Sequence, residues 1–218
     1  MACARLEKSA YGLVMLWPWR AKKRHNSDEP RTIEELRVWM APVEFSQVLA
    51  IVHAVGARCF LEWGVGGSTR ALLERCPYIE RYVAIEHDET WGRKVRTLIS
   101  DARLELREIP PDKPLASASP TREQEIAWYD AAERDESMFK SYVAAAGSEA
   151  VYDAILVDGR ARSFCIRHGF GLLKPRGVLL VHDAQRTEYH DALRSVGRPE
   201  FLEPWTQGQV VLVRKDAS

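Results

Sequence analysis

One stretch decides the fold of this chain: Phe60-Leu61-Glu62-Trp63-Gly64-Val65-Gly66-Gly67-Ser68-Thr69-Arg70-Ala71-Leu72-Leu73. Its short apolar run predicts a buried strand, its three glycines predict a tight loop, and the residues from Thr69 onward predict a helix. A second apolar run, Tyr82-Val83-Ala84-Ile85, follows and ends at Glu86. This order of strand, loop, helix and acid-ended strand predicts half of a nucleoside-binding α/β sheet.

The loop has the features that a nucleoside ligand requires. Glycines allow the backbone to turn sharply and to approach a ligand where a Cβ atom would collide. The helix that follows would direct its first N–H groups at that ligand. Glu86 follows the loop by about 20 residues, the spacing of one strand-helix-strand unit, and would accept hydrogen bonds from ribose hydroxyls.

Two details of the loop distinguish between cofactors. The third glycine of the dinucleotide pattern G-x-G-x-x-G would fall at Thr69, and Glu62 places a negative charge where it would repel a pyrophosphate. S-adenosylmethionine has no phosphate, but it carries an ammonium and a sulfonium group that a carboxylate at Glu62 suits. These details favour S-adenosylmethionine and disfavour an NAD-linked oxidoreductase.

At these residues the chain resembles the class I S-adenosylmethionine-dependent methyltransferases, from roughly Ala57 to Arg214. The resemblance implies that the methionine end of the cofactor is held by Glu62, Gly64, Gly66 and Gly67. It also implies that Glu86 holds the ribose. We expect Ser68, His87 and Asp158 to complete the cofactor contacts, with His87 on the adenine side.

The order of apolar runs predicts a Rossmann-like, doubly wound α/β fold with helices on both faces of a mostly parallel, seven-stranded sheet. An antiparallel closing pair is expected at 200–202 and 209–213, and the family resemblance implies the same reversed strand. Residues 1–56 are expected to form an N-terminal arm and cap helices, one starting at Thr32 and one spanning 42–55. Residues 57–218 are expected to form the methyltransferase domain.

Prolines and serines interrupt the alternation after the third predicted strand, and residues 121–147 then predict one or two polar helices. We interpret 109–150 as an insertion. It would lie above the carboxyl ends of the strands, where open α/β sheets bind ligands, and would form a lid. The alternative is a helix pair that covers an edge of the sheet.

Charged residues follow two neighbouring predicted strands and form a candidate catalytic cluster of Asp158, His182 and Asp183. Three roles are open to it. Asp158 and Asp183, with or without His182, could bind Mg²⁺, which would lower the pKa of an acceptor hydroxyl. His182 could instead act alone as a general base. In the third alternative the carboxylates pair with Arg160 and Arg162 and fix the loops.

The metal alternative also draws on a resemblance to catechol-type O-methyltransferases, which place an acid after the fourth strand and an acid-amide pair after the fifth. This chain departs from that pattern. His182 and Asp183 stand where Asp-Asn is usual, and Arg160 adds positive charge near the expected cation.

Four further residues are candidates for substrate binding. Arg160 and Arg162 suit an anionic group, because arginine forks onto carboxylate or phosphate. Their alternative role is the salt bridge to the aspartates. Arg186 and Tyr189 follow the second charged tip at helical spacing and could line the acceptor pocket, although a solvated helix face would explain them equally well.

Composition excludes some classes of function. The 31 basic and 31 acidic residues cancel, and no basic track with interleaved aromatics appears, so a nucleic-acid substrate is disfavoured. The four cysteines, Cys3, Cys59, Cys76 and Cys165, lack paired spacing and predict reduced thiols in a cytoplasmic protein.

The N-terminal apolar run at 11–19 is too short to span a bilayer, and its basic residues come after it, which does not suit a secretory signal. We interpret this arm as packed on its own domain or on a second subunit in a homodimer. The alternative is contact with a membrane surface or another partner.

Together these patterns predict methylation of a small-molecule acceptor. Oxygen is preferred because activating a hydroxyl at neutral pH needs a base or a metal, which the cluster of Asp158, His182 and Asp183 would supply. The alternatives are an N- or C-methyltransferase of a small metabolite, and a non-catalytic cofactor-binding or scaffolding protein with the same fold.

Overall fold

A computed structural model describes residues 30–117 and 119–217, in which strands and helices alternate along the chain. The strands are β1 (Cys59–Trp63), β2 (Arg81–Glu86), β3 (Leu104–Glu108), β4 (Tyr152–Val157), β5 (Leu173–Val181), β6 (Glu200–Phe201) and β7 (Val211–Arg214). The helices are α1 (Pro42–Val55), α2 (Gly67–Arg75), α3 (Glu89–Leu98), α4 (Arg122–Ala132), α5 (Lys140–Ala144), α6 (Arg162–Leu172) and α7 (His190–Val196).

The strands form one seven-stranded sheet in the order β3-β2-β1-β4-β5-β7-β6. The first five strands pair in parallel, and β7 pairs antiparallel with both β5 and β6. The prediction of a mostly parallel, seven-stranded sheet with an antiparallel closing strand is confirmed.

Alternate residues of each strand face opposite sides of the sheet, which explains the uninterrupted apolar runs. On one side, Leu61 and Trp63 pack with the insertion, α6 and α7. On the other side, Phe60 and Tyr82 pack with α1, α2 and α3. The sheet is therefore buried between two helical layers.

The strand order reverses between β1 and β4, and ligands bind in doubly wound sheets at such a reversal, beyond the carboxyl ends of the strands. The loop after β1 is 64–66, with Gly67 opening α2, and the loop after β4 is 158–161. We call the space between these two loops the switch-point crevice. It brings the glycine loop and Asp158 to one edge of the sheet.

The helix predicted to start at Thr32 is wrong, because residues 31–35 form a bend and turn and 36–39 are irregular. The segment lies with its backbone against α2. A Cβ atom on Gly67 would lie 2.0 Å from the carbonyl oxygen of Arg37, and the Arg70 guanidinium donates to the carbonyl of Ile33 at 2.6 Å. A helix would present side chains at this contact, whereas here the bare backbone of Arg37 lies beside the glycine.

Residues 174–177 lie inside β5 as an irregularity. Tyr152 pairs with Leu173 and Ala154 pairs with Val178, so the intervening residues of β5 bulge out of the ladder. After β5, a 3₁₀ turn at Thr187–Tyr189 leads directly into α7.

Cys59, Cys76 and Cys165 carry free thiols, as predicted. Cys3 and the N-terminal arm lie outside the described residues. Between residues 30 and 217, leaving out 118, no helix is long and apolar enough to cross a bilayer.

Candidate active site at the switch-point crevice

Glu62 lies beneath the glycine loop and holds its shape. The side chain is 1% exposed, and its carboxylate accepts hydrogen bonds from the hydroxyls of Ser68, Thr69 and Tyr82 at 2.5, 2.6 and 2.7 Å. Burial raises the pKa of Glu62 to about 7, although the three hydroxyl donors act in the opposite direction. The acid predicted beside the loop is therefore tied to the first turn of α2.

Glu86 is the last residue of β2 and contacts the same loop through Val65. Its Oε1 accepts from the N–H groups of His87 and Asp88, both at 2.9 Å, and its Oε2 accepts from the N–H of Val65 at 3.2 Å. Burial opposes ionisation, but His87 and these backbone donors hold the pKa of Glu86 below its ordinary value. A single long hydrogen bond at Oε2 leaves that oxygen able to accept from a ligand hydroxyl.

The three loop glycines each have a different neighbour. Gly64 has a φ of 103°, in the region that favours glycine, and a Cβ atom there would lie 3.3 Å from the backbone nitrogen of Gly159. Gly67 lies against the backbone of Arg37 and Val38. A Cβ atom on Gly66 would face the indole of Trp91 at 3.7 Å, and that indole donates to the carbonyl of Val65 at 2.7 Å.

The insertion covers this edge with aromatic side chains. His87 follows Glu86 and packs against Phe139 and Tyr142, with ring centroids 5.8 and 6.0 Å apart. Trp128 of α4 packs against Phe139 in turn at 5.4 Å. The segment between β3 and β4 thus lies above the carboxyl ends of β1 and β2.

Arg162 joins the loop after β4 to the loop after β5. Its guanidinium is buried, 3.2 Å from Oδ1 of Asp158 and 3.0 Å from Oδ2 of Asp183. It also donates to the carbonyl groups of Asp158, Gly159 and His182. Despite burial, the neighbouring Tyr189 and the acids Asp183, Asp158 and Glu133 raise the pKa of Arg162, so it stays charged.

His182 is held between two carboxylates. Its Nδ1 lies 3.0 Å from Oδ1 of Asp158, and its Nε2 lies 3.4 Å from Oε2 of Glu44. Burial disfavours the imidazolium, but the charge of Asp158 and hydrogen bonds with Asp158 and Glu44 raise the pKa of His182 to about 10. Both ring nitrogens therefore carry protons at neutral pH and donate to the acids.

Glu44 comes from α1, far from the cluster in sequence, and is fully buried. Its Oε1 accepts from the N–H groups of Thr206, Gln207 and Gly208 at 2.9, 2.6 and 3.1 Å. Burial opposes its ionisation, but His182 and these backbone donors hold the pKa of Glu44 well below its usual range. The acid thus joins the N-terminal helix, the imidazolium and the loop at 206–208.

Comparison with known proteins is informative at the level of structure. No protein-family model matches the sequence, and neither does any curated protein. A methyltransferase-like protein from Silicibacter pomeroyi is similar in structure, with a TM-score of 0.50 and 20% identity over 83% of this chain and 91% of its own. An O-methyltransferase from Bacillus cereus in complex with S-adenosylhomocysteine has a TM-score of 0.52 and 16% identity over 87% and 86%.

The chain shares the fold of these two proteins. At these identities the likeness establishes the fold alone. Within this fold, the glycine loop, Glu86 and Asp158 lie on the edge of the sheet that the sequence predicts for the cofactor.

The structure also locates the four candidate substrate residues. Arg160 stacks on the ring of Tyr129 at 4.0 Å, and Arg186 pairs with Glu188 at 2.8 Å. Tyr189 is buried, with the guanidinium carbons of Arg162 and Arg186 lying 5.6 and 5.3 Å from its ring centre. Arg162 makes the salt bridges that were its alternative role.

A cleft of about 340 Å³ lies beside this cluster, between α4 and the 3₁₀ turn after β5. It is lined by Asp130, Glu133, Arg134, Thr187 and Glu188. Glu133 also accepts from the N–H groups of Arg162 and Ser163, both at 3.1 Å, at the start of α6. The cleft is therefore connected to the charged cluster through the first turn of α6.

Sequence reasoning missed Glu44, Glu133 and Tyr142. A signal for Glu44 exists, because it falls four and eight positions before the buried Val48 and Val52, on the apolar stripe of α1. An acid on such a stripe has to find partners in the interior. Glu133 and Tyr142 lie in the insertion, whose docking the sequence pattern does not reveal.

The raised pKa of His182 gives a pH-dependent stability. The folded-state pKa of about 10 exceeds the unfolded value of about 6.5, so this contribution is complete below pH 6.5 and is lost as the pH rises towards 10. Between pH 7 and 8.5 we expect the loss to be about 2 kcal/mol. Urea unfolding at both pH values should show this difference in the wild-type protein and not in His182→Asn.

His168→Asn is the matched control, since the His168 side chain donates one hydrogen bond, to the carbonyl of Gly147 at 2.9 Å near the surface. It should retain the wild-type pH dependence. An equal pH dependence in wild type and His182→Asn would show that the imidazole is not held as a cation.

Proposed function

We propose that this protein is an S-adenosylmethionine-dependent methyltransferase that acts on a small-molecule acceptor. One observation carries the proposal: a glycine loop is held between two buried carboxylates, Glu62 and Glu86, at the switch point of a class I sheet. Such a loop lets ligand approach the backbone closely, and its acids are unsuited to a diphosphate.

The residues of the crevice fit this cofactor. Oε2 of Glu86 has accepting capacity for ribose hydroxyls, and Gly64 and Gly159 meet without side chains between them. Glu62 supports the loop from beneath through the hydroxyls of Ser68, Thr69 and Tyr82. The bound cofactor would supply a methyl group on positively charged sulfur.

The first test is calorimetry with S-adenosylhomocysteine. We expect binding by the wild-type protein and a roughly 10- to 100-fold weaker affinity in Glu86→Ala, because hydrogen bonds to a charged acceptor are lost. Glu80→Ala is the control, since Glu80 is an exposed acid just before the start of β2, far from the crevice end of the strand. Absence of heat with the wild-type protein, or displacement of the ligand by NADH, would contradict the proposal.

The cluster does not fit Mg²⁺. Ligand atoms of Asp158, His182 and Asp183 do lie within 4.8 Å of one another. However, the guanidinium of Arg162 already contacts both aspartates, and the His182 imidazolium donates to Asp158. A divalent cation would have to enter beside two fixed positive charges. We therefore assign these residues no metal-dependent step.

The same contacts argue against His182 as the base. An imidazolium whose two N–H groups donate to Asp158 and Glu44 has no lone pair with which to take a proton. Oδ1 of Asp158 accepts from Arg162 and His182, which leaves Oδ2 as the oxygen of this carboxylate available to a ligand. We assign Asp158 the role of accepting a proton from the substrate.

We propose oxygen as the methylated atom. Asp158 would accept the hydroxyl proton of the substrate, and the bound cofactor would supply the methyl group to the substrate oxygen and leave as S-adenosylhomocysteine. The 340 Å³ cleft lies beside Asp158 and not at it, with Glu133 as the link to the loop after β4, and its volume suits a small acceptor. Arg162 and His182 keep Asp158 in place.

A further inference from the structure

The insertion carries a buried hydroxyl that has no hydrogen-bond acceptor. Tyr142 lies on α5 and is 0% exposed, yet its hydroxyl donates no hydrogen bond to any described residue. A buried donor without a partner is costly, so native proteins rarely retain one without a reason. The position of this hydroxyl indicates the reason.

The hydroxyl points into the switch-point crevice. A Cβ atom on Gly159 would lie 2.1 Å from the Tyr142 oxygen, 3.0 Å from the carbonyl carbon of Trp63 and 3.1 Å from the nitrogen of Gly64. The tips of β1 and β4 therefore meet directly below it. The Tyr142 ring is fixed by contacts with Phe139 and His87 and by a hydrogen bond from the Trp63 indole to the Tyr142 carbonyl.

We propose that the Tyr142 hydroxyl donates a hydrogen bond to the carboxylate of the cofactor's amino-acid group. The proposal rests on the proposed function. It makes the insertion part of the cofactor site and gives it one specific contact.

The chemistry of the crevice selects this group. Ribose hydroxyls need acceptors, which Glu86 supplies at the crevice, and the ammonium group is itself a donor. The carboxylate is the anionic part of the cofactor, so it gains more from a donor than the neutral adenine nitrogens do. Tyr142 places a neutral donor at the meeting point of the two loops, where a phenolic O–H to a carboxylate would form a short, charge-assisted hydrogen bond.

Access to the covered hydroxyl requires α5 to move away from the crevice. This helix has only five residues, and Asp112 fixes its start through Ser141 with hydrogen bonds of 2.6 and 2.8 Å. Both groups are exposed, so the contact can open at modest cost. Ligand entry and return of α5 would then give the hydroxyl its acceptor.

Calorimetry with two ligands tests the contact. S-adenosylhomocysteine has the amino-acid group, whereas 5′-methylthioadenosine lacks it. We expect Tyr142→Phe to weaken S-adenosylhomocysteine binding roughly tenfold or more and to leave 5′-methylthioadenosine binding unchanged. Without ligand, Tyr142→Phe should melt no lower than the wild type, because the removed hydroxyl has no acceptor to lose.

Tyr152→Phe is the matched control. Tyr152 is also buried, but its hydroxyl donates to the carbonyl of Ala146 at 3.0 Å. This variant should melt at a lower temperature and bind both ligands as the wild type does. Equal S-adenosylhomocysteine affinity in Tyr142→Phe and wild type, or equal losses for both ligands, would overturn the Tyr142 proposal alone. Failure of the wild-type protein to bind either ligand would instead remove the proposed function.

Discussion

Arg162→Met should lower the free energy of unfolding by about 3–5 kcal/mol, the usual cost of removing one partner from a buried ion pair. Methionine has a similar length but no donors, so Asp158 and Asp183 would lose their cation. The carbonyl groups of Asp158, Gly159 and His182 would also lose hydrogen bonds. Urea denaturation at pH 7 measures the change.

Arg186→Met is the control for this experiment. Arg186 pairs with Glu188 near the surface, and such pairs contribute at most about 1 kcal/mol. A loss in Arg162→Met no larger than in Arg186→Met would mean that Arg162 does not hold the two loops together.

Arg162→Met and the wild-type protein together test whether the cluster binds a metal ion. Removal of Arg162 leaves Asp158, His182 and Asp183 close together without the guanidinium. Millimolar Mg²⁺ should then raise the melting temperature of Arg162→Met and leave that of the wild type unchanged. Stabilisation of the wild-type protein by Mg²⁺ would show that a cation binds beside Arg162.

Glu44→Gln should be nearly as damaging, with an expected loss of about 3–4 kcal/mol in unfolding free energy. In this variant the side-chain amide oxygen can replace Oε1 and accept hydrogen bonds from the loop at 206–208. The amide nitrogen must then take the place of Oε2, where it would face the N–H of Ala41, 2.9 Å from the present oxygen, and the imidazolium of His182. Donors would meet donors at a fully buried position.

Gln47→Ala is the matched control for Glu44→Gln. Gln47 lies on the same helix and donates to the carbonyl of Pro204 in the same loop at 2.9 Å, but it does so near the surface. We expect a loss of about 1 kcal/mol. Chemical denaturation of both variants at pH 7 makes the comparison, and similar losses would show that the charge of Glu44 is unimportant.

The strands and the glycine loop could be predicted from the sequence because their signals are local. The buried apolar runs before Gly64 and Glu86 correspond to β1 and β2, and α1 has the predicted bounds. Acid-ended strands in a doubly wound order also predicted that Asp158, His182 and Asp183 would come together.

The chemical state of that cluster could not be predicted, because distant residues decide it. The sequence left Arg162 open as a substrate contact or as a salt-bridge partner, and its burial between the aspartates distinguishes the two roles. Glu44 comes from a helix more than a hundred residues away in sequence. The failed prediction of a helix at Thr32 has the same cause, because good capping residues were overridden by backbone packing against Gly67.

The bond from Gly208 to Glu44 spans 164 positions of the chain. A ribosome makes Glu44 long before Gly208, so the nascent protein carries this acid without its backbone donors while the intervening residues are made. The arrangement around His182 can be completed only after residues 206–208 have left the exit tunnel. A product truncated before residue 206 would therefore contain β1 to β5 but lack the three N–H donors to Oε1 of Glu44.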